Sequence, residues 1–171
     1  FTDEANFSGR MLKSRGNMDF VLAKYSPEGK LLWLQTAGGS KIDRGYSVAV
    51  DAAGNSYVTG HFQSPEFWIG DKVFRNRGDY DYFVAKYDVD GEFQWAHRGG
   101  GKGYDYGHGI AVTPVGDVYV AGSFSGDVTL GKAKSTITKR KSIFVARYRT
   151  DGQLVWSRLA GNDRAQSGHN I

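Results

Sequence analysis

Of the side chains able to do acid–base or metal chemistry, the four histidines attract attention first, yet none has the H-x-H or H-E-x-x-H spacing that closes a chelate. His108 and His169 occupy equivalent positions in two related segments, where Tyr46 stands in a third. They are candidates for a shared site, with packed or solvated rings as the simpler reading. The glycine-rich run from Gly99 to Gly107 contains Lys102 and Asp105, and such loops hold ions through backbone N–H groups. It fits neither G-x-G-x-x-G nor a Walker frame, so its glycines are expected to turn the chain, with Asp43 and Asp105 tying each turn to backbone donors. Asp88-Val89-Asp90-Gly91 opens like a calcium loop but lacks the closing glutamate, and a hairpin turn fits it better. In Gly122-Ser123-Phe124-Ser125-Gly126 the centre of the apparent nucleophile elbow is phenylalanine, so no hydrolase motif is present. No catalytic residue, metal ligand or cofactor is assigned.

Residues suited to recognition are easier to find. Trp68, Arg75 and Arg77 fall in the stretch 63–79, and Lys139, Arg140 and Lys141 close the stretch 125–141. Aromatic and arginine side chains of this kind anchor interfaces, and long connections on a rigid scaffold are where such anchors concentrate. The competing reading of these charges is a solvated loop.

The elements that must position these residues follow from an internal repeat. DFVLAKYSPEGKLLW from Asp19, DYFVAKYDVDGEFQW from Asp81 and SIFVARYRTDGQLVW from Ser142 superimpose, with Trp33, Trp95 and Trp156 spaced 62 and 61 residues apart. A second block, GYSVAVDAAGNSYVTGHF from Gly45 and GHGIAVTPVGDVYVAGSF from Gly107, keeps the same period and restarts at Gly168. Each period therefore holds four short strands, a to d, with Gly and Asp at the a–b and c–d turns where positive φ is needed. Strand a is small (Ser47-Val48-Ala49-Val50) and strand d is bulky (Trp95). That gradient describes a wedge with strand a at a crowded axis and strand d at the rim.

The expected fold is all-β, a β-propeller of four-stranded antiparallel blades with an incomplete ring. Residues 1–37 form the second half of a blade, 38–98 and 99–159 are full blades, and 160–171 begin the next. Closed propellers take about four to eight blades, so a fragment of a larger protein is expected. Completing blades of the same protein are then partners, and a head-to-head dimer sharing one ring is a secondary arrangement.

FVAKYDVDGEFQWA, GGGKGYDYGHGIAV and GNSYVTGHF resemble the bacterial β-propeller repeat called SBBP, and the strand order is similar to that of NHL-type propellers. The resemblance covers essentially the whole chain. The GGxGxDxG segment appears at Gly38–Gly45 as GGSKIDRG, and in the third copy Gln166 replaces the aspartate. The resemblance implies an extracytoplasmic setting: secreted, cell-surface or envelope-associated.

Composition narrows the function. Cysteine is absent, which excludes disulfides and thiolate chemistry. A net charge of +4 is too small to indicate nucleic acid, and no apolar run reaches the roughly 20 residues of a membrane helix. The expected role is a non-catalytic binding or scaffold module whose partner is another protein or a polysaccharide. The alternative is an enzyme, or a metal- or carbohydrate-binding propeller, with its site in the channel at Tyr46, His108 and His169.

Overall fold

The structure, a computed structural model, describes residues 1–131 and 133–160, without the side chains at 133 and 135–141. Every regular element among them is a β-strand. No helix among the described residues is long and apolar enough to cross a membrane.

The chain enters through a hairpin, β1 (Glu4–Phe7) and β2 (Arg10–Lys13), followed by the antiparallel pair β3 (Phe20–Tyr25) and β4 (Leu31–Gly38). The next four long strands pair in order a-b-c-d: β5 (Asp43–Val50), β6 (Ser56–Phe62), β9 (Asp81–Tyr87) and β10 (Phe93–Gly101). The pattern repeats as β11 (Tyr106–Val112), β12 (Val118–Leu130), β13 (Ala133–Tyr148) and β14 (Leu154–Ala160). The protein is an all-β propeller of four-stranded antiparallel blades, and the described residues form part of its ring.

The b–c connections are not loops. Residues 66–75 fold into a second hairpin, β7 (Glu66–Ile69) and β8 (Lys72–Arg75), and the corresponding stretch of the next blade continues β12 and β13 past the blade proper. Alternation explains the first. Phe67 points inward and is fully buried, stacking on Phe62 at 4.7 Å and packing on Phe83 at 5.0 Å, while its neighbour Trp68 is 47% exposed. Burial of one such phenylalanine contributes about 2 kcal/mol, enough to draw the segment onto the sheet.

Each of these hairpins latches onto strand d of the preceding blade. Ala37 and Gly38 of β4 pair with Ile69 and Trp68, and Gly100 and Gly101 of β10 pair with Thr129 and Val128. Trp68 and Thr129 occupy the same repeat position, as do Gly38 and Gly100, so the register is identical. Strand a is the least covered: Tyr46, Val48 and Val50 of β5 are 46%, 54% and 58% exposed, whereas Ile110, at the position of Val48 one blade later, is buried against its neighbour.

The glycine-rich d–a segments are held by carboxylates. Asp43 is fully buried and accepts from Gly39 N (2.7 Å), Gln63 N (3.0 Å), Ser64 N (3.2 Å) and Ser64 Oγ (2.6 Å), joining the turn to the start of the b–c hairpin. Asp105 repeats the bond to Gly101 N at 2.8 Å.

Candidate functional site

At the entrance of strand a, two blades bring six rings together. β5 supplies Tyr46, the end of β6 supplies His61, and β11 supplies Tyr106 and His108. Tyr80 and Tyr104 join them through a parallel bridge between the residue before β9 and the d–a turn. The Tyr46 ring lies 5.2 Å from His61 and 5.9 Å from His108. His61 meets Tyr80 (4.7 Å) and Tyr106 (5.0 Å) edge-on, while Tyr106 stacks on Tyr80 (5.6 Å) and on His108 (5.5 Å). Tyr104 closes the group at 5.4 Å from Tyr80. Tyr46 and Tyr104 are 46% and 44% exposed and form its accessible surface.

The electrostatics suit recognition better than proton transfer. Burial, with help from Arg44 and His108, pushes the His61 imidazole down to about 4, so it is neutral near pH 7, and its Nδ1 has no hydrogen-bond partner. Burial, together with the hydroxyls of Tyr80, Tyr46 and Tyr104 and the Asp79 carboxylate, pushes Tyr106 up to about 12. His108 Nε2 lies 2.8 Å from Ser123 Oγ, a Ser–His contact that the sequence does not announce. Ser123 is fully buried, which keeps its oxygen from any substrate. No group of three or more His, Cys, Asp or Glu placed to hold a metal ion occurs among the described residues.

The backbone of this site repeats and its side chains do not. One period earlier, Met18 and Ile42 form the same parallel bridge as Tyr80 and Tyr104, and Arg44 stands at the position of Tyr106, its Nε 3.2 Å from Met18 Sδ. Ser123 stands at the position of His61. The aromatic content is therefore specific to one junction between blades.

Of the other candidate residues, Trp68 lies in an open groove of about 460 Å³ with Arg15, Ser40, Pro65 and Glu66. Arg75 reaches Glu66 at 3.8 Å with both side chains well exposed, a pair of little energetic weight. Arg77 is exposed, and its backbone N–H donates to Asp81. These three residues belong to the β7–β8 hairpin and its exit, in the sheet of β3 and β4, whereas Tyr46 and His108 lie in the eight-stranded sheet. The side chains of Lys139, Arg140 and Lys141, and the whole of His169, lie outside the described residues. Sequence reasoning reached Tyr46 and His108 but missed His61, Tyr80, Tyr104 and Tyr106; the available signal was their departure from the residues one period away.

The family model of the SBBP β-propeller repeat matches residues 33–61, which span β4, β5 and β6. Residues 33–61 of this chain therefore match an SBBP-type β-propeller repeat. The chain is 27% identical over 152 residues to the regulatory protein FlaEY of Caulobacter vibrioides, a match covering 87% of this chain and 16% of that protein. It is 23% identical over 170 residues to an uncharacterised WD repeat-containing protein of Acanthamoeba polyphaga mimivirus, covering 88% of this chain and 12% of the relative. The chain thus spans less than a fifth of the length of either curated relative.

Proposed function

We propose that this chain is a non-catalytic binding module that holds a partner protein on the aromatic cluster around Tyr46 and Tyr104. The observation that carries the reading is the break in the repeat: the same backbone bridge holds Met18 and Ile42 in one period and Tyr80 and Tyr104 in the next. A purely structural role would be served by the same residues at both junctions. Tyrosines that are half-exposed and held rigid by neighbouring rings supply large contact area at little cost in side-chain entropy. The buried Ser123 and the neutral His61 support binding over catalysis. The word "regulatory" in the name of the Caulobacter relative is in keeping with an interaction module. An extracytoplasmic location, implied by the SBBP resemblance, belongs to the same proposal.

The test is affinity capture from an extract of the source cells, with the Tyr46→Ala/Tyr104→Ala double variant beside the parent chain. Far-UV circular dichroism verifies that both are folded. Loss of a specific protein partner in the double variant is the expected result. An unchanged set of bound proteins, or binding only to immobilised polysaccharide, overturns the reading.

A further inference from the structure

Apart from the ring cluster, the groove at Trp68 is a concave feature built by two adjoining blades. Its floor is two turns locked together. The turn before β3 is tied by Asp19, whose Oδ2 accepts from Arg15 N at 2.7 Å, and the turn before β5 is tied by Asp43, which accepts from Gly39 N at 2.7 Å. The turns touch backbone to backbone, since a Cβ on Gly16 would collide with the Ser40 carbonyl. Ser64, fully buried, fixes the start of the hairpin to the same floor by accepting from Lys41 N at 2.9 Å and donating to Asp43 at 2.6 Å. Along β7, Glu66 and Trp68 alternate with the buried Phe67 and Ile69, so both line the groove from one face. β7 is paired with β8 along its length and with β4 at its end, which leaves no strand edge there for a peptide to extend.

The lining combines an apolar plate with polar groups of both kinds. Trp68 is 47% exposed, and the exposed Arg15, Glu66 and Ser40 supply donors, acceptors and a hydroxyl that does both. An anion in the groove would meet Glu66 and a cation would meet Arg15, whereas a neutral hydroxyl satisfies either. A pyranose ring has the matching pattern: hydroxyls around its edge, and a face of C–H bonds whose partial positive charge is drawn to the negative face of an indole. One period on, the frame recurs without the plate. Arg77 N donates to Asp81 at 3.2 Å, Gly101 N donates to Asp105 at 2.8 Å, and a Cβ on Gly78 would collide with Lys102 in the same way. Arg77 and Asp127 hold the places of Arg15 and Glu66, but Thr129 stands for Trp68 and Lys102 for Ser40. The blade therefore folds without an indole at this position.

We propose that this groove is a saccharide subsite, in which a neutral pyranose ring of a polysaccharide stacks on Trp68 and bonds Arg15, Ser40 and Glu66 through its hydroxyls. At about 460 Å³ the groove falls within the range of about 300–1,000 Å³ usual for ligand sites, and it is open, so a ring inside a chain fits as well as a terminal one. The site belongs to the sheet of β3, β4, β7 and β8, apart from Tyr46 in the eight-stranded sheet. It therefore stands or falls separately from the protein-binding role proposed above.

Retention of the 171-residue chain on immobilised neutral glucans, mannans, galactans and N-acetylglucosamine oligomers, with uronic-acid oligomers alongside, tests it. The parent chain is expected to bind at least one neutral class. Trp68→Thr, the residue type that the next blade carries at this place, is expected to weaken retention about tenfold or more, and Trp68→Tyr to recover part of it. Arg15→Ala is expected to weaken retention too, while Tyr46→Ala/Tyr104→Ala leaves it unchanged. Far-UV circular dichroism verifies that each variant is folded. A folded parent chain that binds no neutral saccharide, retention on uronic-acid oligomers alone, retention that survives Trp68→Thr, or retention lost in the Tyr46/Tyr104 variant would each overturn the proposal.

Discussion

Trp33 and Val89, 56 residues apart in the chain, meet through an indole N–H donating to a turn carbonyl at 3.0 Å, and Trp95 and Thr150 meet in the same way one blade later. The recurring tryptophan, at Trp33 and Trp95, is therefore an inter-blade contact as well as a bulky rim residue.

Replacing Trp95, which is 7% exposed, separates the two contributions. Trp95→Phe removes the hydrogen bond to Thr150 while keeping most of the ring, and a loss of about 1 kcal/mol is expected. Trp95→Ala also opens a cavity beside Tyr57 and Tyr148, and a loss of about 3–5 kcal/mol is expected. Urea denaturation followed by circular dichroism measures both. Equal losses would show that the indole N–H sets the whole cost.

Gly91 and Gly29 provide a matched pair. Both end c–d turns with positive φ (+86° and +80°), so alanine strains the backbone at each by about 1 kcal/mol. Only at Gly91 does the added methyl meet the Trp33 ring, so Gly91→Ala is expected to lower the melting temperature more than Gly29→Ala in dilute solution.

Asp105 makes stability depend on pH. Burial, chiefly, and the nearby Asp81 carboxylate push it up to about 7 from the ordinary 3.8, so the folded protein holds a proton there that the unfolded chain releases. The stability gained from that proton is complete below pH 4 and is lost as the pH rises through 7. Asp105→Asn keeps an oxygen for Gly101 N and removes the ionisation. Its stability is expected to exceed the parent's at pH 8, and the difference to shrink toward pH 4 in chemical denaturation.

His61 works in the opposite direction. Its imidazole is held down to about 4 from the ordinary 6.5, so the unfolded chain takes up a proton first and stability is lost as the pH falls from 6.5 toward 4. His61→Phe, which preserves ring packing against Tyr80 and Tyr106, is expected to gain on the parent at pH 5 relative to pH 8. The same denaturation series reads this out, and a pH-independent difference would mean that the imidazole takes up its proton equally in the folded and unfolded states.

The two regular blades and their turns were legible because they are encoded locally. Asp88-Val89-Asp90-Gly91 must turn wherever it sits, and a 62-residue period with its tryptophans in step admits few other folds. The b–c segments were harder to interpret. Their alternation, with Phe67 in and Trp68 out, covers only four residues; the rings that bury Phe67 lie on β6 and β9, while the strand it runs beside, β4, belongs to the preceding blade. At the candidate site, Tyr46 and His108 were recognisable as equivalent positions, but their 5.9 Å approach through a shared set of rings was not. Spacing along a strand does not report how neighbouring sheets are inclined to each other.

The amino-acid order alone determined the period, the four strands in each repeat, the glycines at the turns and the small-to-large gradient from axis to rim. These depend on backbone conformation and on side-chain size within a few neighbouring residues. Only the tertiary structure decided that His61 would lie buried among tyrosines from two blades, that Asp105 would rise toward neutrality beside Asp81, and that Trp33 would close on the next blade's turn. Each of those contacts joins residues distant in the chain, and its energy depends on separation and burial, which exist only after the blades have packed.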